Sequence, residues 1–256
     1  MTNITKAKTL INCFVSGDTE LAKSLLKEDY IQHNLSYGTG RDAFLNSVKY
    51  LGTAPIKTTI DTVREFEDGD KVVLQSVYNF AGQGEQVAFD IFRFEEGLIA
   101  EHWDNLAILA KPNPSGHTQI DNFAPIKDLE KTEENKKLVE DFLFDVMMGK
   151  NPQKTQDYFD GLNYIQHNSN ITDGLDGLGA ALKSLAEAGI AMIYDKVHMV
   201  LGCGDLVLGV SEGTYGGKPT SYYDLWRVEN GKIAEHWDVM ETIADKSTWA
   251  NTNGKF

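Results

Sequence analysis

The chain has 256 residues, 41% of them hydrophobic and 24% charged, with 24 basic against 38 acidic side chains and a formal net charge of −14. That length suits two ordinary domains, and the composition is that of a folded globular chain. The negative charge argues against nucleic acid and against anionic membrane surfaces, since the densest basic stretch, Lys131 to Lys137, is interrupted by Glu133 and Glu134.

In chain order, Leu10, Ile11, Phe14 and Val15 fall at helical spacing, and Gly17 marks a stop, so a helix is expected over Lys6–Ser16. Asp18 is a natural N-cap for a short second helix through Leu26. Tyr30-Ile31-Gln32-His33-Asn34 then leads toward a sheet, and Gly40-Arg41-Asp42 opens a third helix through Leu51. Strands are expected over 58–66, 71–80, 86–94 and 98–109. The prolyl, polar stretch Lys111-Pro112-Asn113-Pro114-Ser115-Gly116-His117 reads as linker, and the segment to about Lys127 is expected to wrap over the first unit.

The plan then repeats. Helices are expected at Glu130 to Met148, Pro152–Tyr158 and Leu175–Ala188, and strands over 195–201, 205–215, 221–228 and 232–241. Three helices followed by a mostly antiparallel sheet make each unit α+β. The expected domains are residues 1–115 and 116–256, with a linker over about 110–128.

Two words recur unchanged at an offset of 134 residues. Tyr30 to Asn34 returns as Tyr164 to Asn168, and Ile99-Ala100-Glu101-His102-Trp103-Asp104 returns as Ile233 to Asp238. Around the second word, residues 89–104 and 223–238 agree at ten of sixteen positions, and hairpin turns are expected at Glu96-Gly97 and Asn230-Gly231. The repeated words hold four of the six histidines, which makes them the candidate chemistry.

Alternation along a strand puts His102 and Asp104 on one face and Glu101 and Trp103 on the other, and likewise in the second copy. With the turn at 230–231, Arg227 would lie opposite Ala234 and join His236 and Asp238; Arg93 would join His102 and Asp104. A cation, an imidazole and a carboxylate on one face form a proton-transfer set, although the same trio also serves as a structural salt-bridge network. A register shifted by one residue would bring Asp90 and Asp224 to that face instead. His33, Asn34, His167 and Asn168 offer hydrogen bonds to a substrate, or else only close a turn. Trp103 and Trp237 are expected in the core.

His33, His102 and Asp104 would make a three-ligand metal set, but no local ligand spacing accompanies them, and no metal is expected. Neither a phosphate-cradling glycine loop nor a Ser or Cys nucleophile motif is present, so no cofactor is expected. Cys13 and Cys203 occupy non-equivalent positions and suggest free thiols in a reducing compartment. The N-terminus lacks a signal-like apolar run and no stretch approaches a membrane span, so a cytoplasmic location is expected.

The order Tyr-Ile-Gln-His-Asn, then Gly-Arg-Asp before a helix, then Phe-x-x-Phe-Arg-x-x-x-Gly-x-Ile-x-Glu-His-Trp-Asp resembles the SnoaL-like polyketide cyclase group of the nuclear transport factor two-like superfamily. The resemblance spans nearly all of each half and implies two tandem cone-shaped units, each a curved sheet wrapped around helices with a pocket at its open end. It implies an acid–base role for Asp104 and Asp238, with His102 and His236 on the same wall. It further implies either a cofactor-independent cyclase, isomerase, dehydratase or hydrolase acting on a small, largely apolar or amphipathic molecule, or a binding module with the same pocket. An internal pseudo-dimer or a homodimer through the sheets is also implied. The chain departs from the group's pattern at Leu35 and Ser169, where proline is usual, and at Thr39-Gly40, where the second half keeps Asp173-Gly174.

Overall fold

In the computed structural model, described over residues 1–161 and 163–256, the chain forms two compact α+β units. The first opens with α1 (Asn3–Ser16), where the Thr2 hydroxyl caps the Thr5 N–H. The helix ends at Gly17 with φ +75°, a left-handed conformation that suits glycine. Gly17 also lies where α1 passes the end of α3 (Arg41–Gly52): a Cβ at Gly52 would sit 2.4 Å from the Gly17 Cα. Asp18 caps α2 (Thr19–Leu25), which runs directly into β1 (Leu26–Gln32).

After α3 come β2 (Thr59–Asp68), β3 (Lys71–Asn79), β4 (Gln86–Glu95) and β5 (Leu98–Ile108). The sheet order is β1-β5-β4-β3-β2, antiparallel throughout except that β1 runs parallel to β5. Leu10, Ile11, Tyr30, Phe44, Val48, Leu74 and Phe92 form a core between the helices and one face of this sheet. Burying such side chains contributes about 1.5–3 kcal/mol each before chain entropy is counted.

The second unit repeats the order. α4 (Thr132–Phe142) continues through one π turn at Leu143–Met147, followed by a 3-10 segment at Pro152–Tyr158, β6 (Ile165–Gln166) and α5 (Gly174–Glu187). Then come β7 (Met192–Cys203), β8 (Leu206–Tyr215), β9 (Lys218–Glu229) and β10 (Lys232–Thr242), in sheet order β6-β10-β9-β8-β7. Its core gathers Val139, Phe142, Leu143, Phe159, Tyr164 and Trp226. Both hairpin tips carry two successive positive φ values, at Glu96-Gly97 and Asn230-Gly231, as a type I′ turn requires. Cys13 and Cys203 are free thiols. Among the described residues, no helix is long and apolar enough to cross a membrane.

The division of the chain differs from the expected boundaries. The first unit comprises Met1–Leu109 together with Ala244–Phe256, and the second comprises Ala110–Ile243. The linker therefore wraps the second unit, not the first, held by Asn113 Nδ2 on the Gln166 and Ile171 carbonyls and by the Lys127 N–H on Asp205. The C-terminal tail plays the equivalent part for the first unit: Asn251 Nδ2 donates to the Asn34 and Tyr37 carbonyls. Both straps satisfy backbone carbonyls in the edge strand or the loop that follows it.

Candidate functional site

The last hairpin decides which side chains meet. Ile99 pairs with Phe94, but Glu101 pairs with Arg93, so Ala100 is an extra residue on β5; Ala234 is the extra residue on β10. This β-bulge moves every later pair by one. Arg93 and Arg227 therefore do not join the histidine face. They lie opposite Glu101 and Glu235, while Asp90 faces Asp104 and Asp224 faces Asp238.

On the inner, helix-facing side of the first sheet, His102 is 6% and Asp104 5% exposed. Gln32, paired with His102 across β1 and β5, accepts the Asn34 N–H on Oε1 at 2.8 Å and donates from Nε2 to the Tyr30 hydroxyl at 3.1 Å. That fixes the amide orientation, so the 3.0 Å contact between Gln32 Oε1 and His102 Nδ1 requires a proton on Nδ1. The other ring nitrogen, Nε2, meets Asp90 Oδ1 at 2.9 Å, and the Tyr78 hydroxyl donates to Asp90 Oδ2 at 2.7 Å. His102 and Asp90 thus share one proton between Nε2 and Oδ1. Asn34 Nδ2 donates to Asp104 Oδ2 at 2.7 Å, whereas Asp104 Oδ1 is buried without a hydrogen bond.

The second unit rebuilds the same set. Gln166 Oε1 receives the His167 and Asn168 N–H groups and His236 Nδ1, His236 Nε2 meets Asp224 Oδ1 at 3.0 Å, and Asn168 donates to Asp238 at 2.7 Å. The phenol on Asp224 is Tyr194, on β7, whereas Tyr78 comes from β3, the counterpart of β8. The same hydrogen bond is delivered from different strands.

His33 and His167 do not join Asn34 and Asn168. Each turns to the opposite face, where His33 Nε2 meets Glu101 at 2.9 Å and Glu101 accepts Arg93 Nε at 2.7 Å. His167, Glu235 and Arg227 repeat the chain with 2.7 Å contacts. Trp103 and Trp237, buried as expected, stack on these imidazoles at 4.9 and 4.6 Å. The straps close the networks: His33 Nδ1 bonds the Gly254 carbonyl and His167 Nδ1 the Thr118 carbonyl. Lys255, 3% exposed, extends from the tail to place Nζ 3.6 Å from Asp104 Oδ1.

Residues 7–102 match the family model described as "SnoaL-like domain". The first unit is a SnoaL-like domain. The second repeats its sequence words and strand order. Solved structures with likeness to the chain include an NTF2-like protein from Cytophaga hutchinsonii, at 18% identity over 42% of this chain and 91% of that one, TM-score 0.36. A protein of ketosteroid isomerase-like fold from Catenulispora acidiphila, in complex with trimethylamine, gives 15%, 40%, 85% and 0.35. An LEH-like epoxide hydrolase from M. tuberculosis gives 14%, 41%, 81% and 0.37. At these identities and scores the likenesses say nothing of this chain's chemistry. No curated protein matches the sequence.

Burial sets the electrostatics of the histidine–aspartate sites. It raises the Asp90 carboxyl above its ordinary value against the pull of His102. It likewise raises Asp238, helped by the charge of Asp224 and opposed by His236 and Asn168. Burial pushes the His236 imidazolium down, but the hydrogen bond and charge of Asp224 and the charge of Asp238 outweigh it, and its pKa rises. The Tyr30, Tyr78, Tyr164 and Tyr194 hydroxyls are pushed well above the phenol range, first by burial, and stay neutral donors. On the opposite face, burial would raise Glu235, but hydrogen bonds from His167, Asn122 and Arg227 bring it below its ordinary value.

The residue pattern alone does not single out Gln32, Gln166, the tyrosines or Lys255, and it brings Asp90 and Asp224 to the histidine face only in the shifted register that the bulge produces. Gln32 and Tyr30 stand inside a repeated word, and Asp90 inside the matched block, so repetition marks them. Tyr78, Tyr194 and Lys255 carry no such mark. Two surface grooves, of about 430 and 440 Å3, line α4 with β7 and α1 with α2, away from the histidine–aspartate sites.

Proposed function

We propose that each SnoaL-like unit holds a cofactor-independent acid–base site for a small, largely apolar carbonyl or hydroxyl compound. The observation that carries this reading is the buried Asp104 carboxylate on the inner face beside His102, with Oδ2 fixed by Asn34 and Oδ1 accepting no hydrogen bond but lying 3.6 Å from the Lys255 ammonium. Acid–base catalysis is common in the family. The −14 charge and the apolar inner face disfavour nucleic acid and suit a neutral molecule.

Asp104 Oδ1 takes a proton from the carbon next to the substrate carbonyl, and the C–H electron pair moves into an enolate whose oxygen carries the charge. The Tyr30 hydroxyl already accepts a hydrogen bond from Gln32, so its own proton remains to be donated to that oxygen. Returning the proton from Asp104 to a different carbon isomerises the substrate; passing it instead to a β-hydroxyl, as the enolate electron pair forms the C=C bond and the C–O bond breaks, releases water and dehydrates it. His102 with Asp90 keeps a shared proton beside the developing charge. Asp238, Tyr164, His236 and Asp224 take the same parts in the second unit. His33, His167, Arg93 and Arg227 have no part in this step, because they lie on the other face.

The test is hydrogen–deuterium exchange α to the carbonyl in a panel of small cyclic ketones incubated with the chain in D2O. Exchange catalysed by the wild type and lost in the Asp104→Asn, Asp238→Asn double variant is expected. Saturable binding of panel members without any catalysed exchange would replace the enzyme with a binding module.

A further inference from the structure

On the strap of the second unit, His117, Asp121 and His167 each present one ligand atom, and these atoms lie within 4.8 Å of one another. We infer that they form a zinc-type divalent metal site, separate from the histidine–aspartate sites and present in the second unit only. The argument rests on how the two imidazoles are held. His117 Nε2 meets Asp173 Oδ2 at 3.1 Å, and His167 Nε2 meets Glu235 Oε1 at 2.7 Å. Each ring is thereby anchored by a carboxylate on its far nitrogen, the outer-shell arrangement that orients metal-binding histidines. The near nitrogens converge on one carboxylate: His167 Nδ1 is 2.6 Å from Asp121 Oδ1, and His117 Nδ1 is 4.0 Å from Asp121 Oδ2.

Two imidazole nitrogens and a carboxylate oxygen are a donor set for zinc, with the Thr118 carbonyl, 2.7 Å from His167 Nδ1, or a water as a fourth ligand. Bonds of about 2.0–2.1 Å place ligand atoms of a tetrahedral site roughly 3.3 Å apart. The observed spacings bracket that value, and the half-buried Asp121 and His117 have room to adjust around the fully buried His167. Binding replaces the Nδ1 proton of His167 with the metal and releases it to solvent, so affinity rises with pH. In the first unit the pattern is broken. His33 keeps its carboxylate, Glu101, but Lys255 follows Gly254 where His117 follows Gly116, and an ammonium is no ligand.

The experiment is titration of the tag-free, chelator-stripped full chain with Zn2+ by calorimetry and with Co2+ by visible absorption. One equivalent per chain with tetrahedral cobalt bands is expected. Asp121→Asn and His117→Ala should each abolish stoichiometric binding, and Asp173→Asn should weaken it about 10–100-fold, as loss of an outer-shell partner does. In the unsubstituted chain, Zn2+ should shift the His167 ring-nitrogen NMR signals and leave those of His33 in place, a readout independent of how any variant folds. Absence of stoichiometric binding, or binding that survives in the Asp121→Asn, His117→Ala double variant, overturns the site. Binding lost in Asp104→Asn instead would assign the ion to the acid–base site and equally overturn it.

Discussion

The inner sites turn on a few hydrogen bonds whose direction is fixed by their neighbours. Gln166 receives two backbone N–H groups, so His236 must donate to it from Nδ1, and Asp224 then decides whether Nε2 is also protonated. Asp224→Asn removes the charge and the acceptor that hold the imidazolium against burial. The His236 pKa should fall in that variant, as read from ring-nitrogen NMR shifts against pH. The Tyr194 hydroxyl donates to the other oxygen of the same carboxylate, an acceptor that the amide oxygen of the Asp224→Asn variant retains, so the substitution changes the charge beside His236 and keeps this hydrogen bond. An unchanged His236 titration would contradict the assigned network. His102 and Asp104 were legible at this scale because they alternate within one repeated word. Tyr78 and Tyr194 were not, because equal roles are filled from unlike strands, and no spacing in the chain relates them.

Elements account for what the residues alone left open. The hairpins were readable from their turn residues, yet the site depended on one unpaired alanine. Nothing in Ile99-Ala100-Glu101 marks a bulge, and without it Arg93, not Asp90, would have shared the histidine face. The helix expected from Glu130 to Met148 departs for a similar reason. Its apolar spacing continues, but Met148 N–H bonds Leu143 O, five residues back, and the π turn sets Asp145 inward. There Asp145 accepts from Lys154, Tyr158 and Asn151, which draw its pKa down to about 2. A carboxyl depressed on folding stabilises the fold above its unfolded value, near 3.9, and loses that contribution as pH falls through about 2. Urea unfolding of Asp145→Asn should therefore show a clear loss of stability at pH 7 that shrinks toward wild type near pH 2. An equal deficit at both pH values would contradict the ionic origin.

For the whole molecule, the two straps are the least expected feature. The repeat was plain from its words, but the Pro-rich linker reads as a spacer, and the tail Asn251-Thr252-Asn253-Gly254-Lys255 carries no periodicity. Their shared chemistry is an asparagine amide that closes on backbone carbonyls in and just after the edge strand, which only the folded chain brings within reach. Removing residues 249–256 deletes the Asn251 and Asn253 bonds, the Ala250 N–H bond and the His33–Gly254 bond. At about 0.5–1.5 kcal/mol for each net bond, the first unit should lose several kcal/mol. Hydrogen exchange should accelerate for amides over 30–40 and stay as it was for their counterparts over 164–174. Uniform acceleration in both stretches would contradict a tail that serves the first unit.

Duplication of an acid–base site, one per unit, is the central claim, and it is tested most directly by comparing ketone α-proton exchange in four proteins. Wild type, Asp104→Asn, Asp238→Asn and the double variant would be assayed at equal concentration. Each single variant should retain the share carried by its intact unit, and the double variant should fall to the rate in buffer. A double variant that exchanges as fast as wild type would contradict the assignment of these carboxylates.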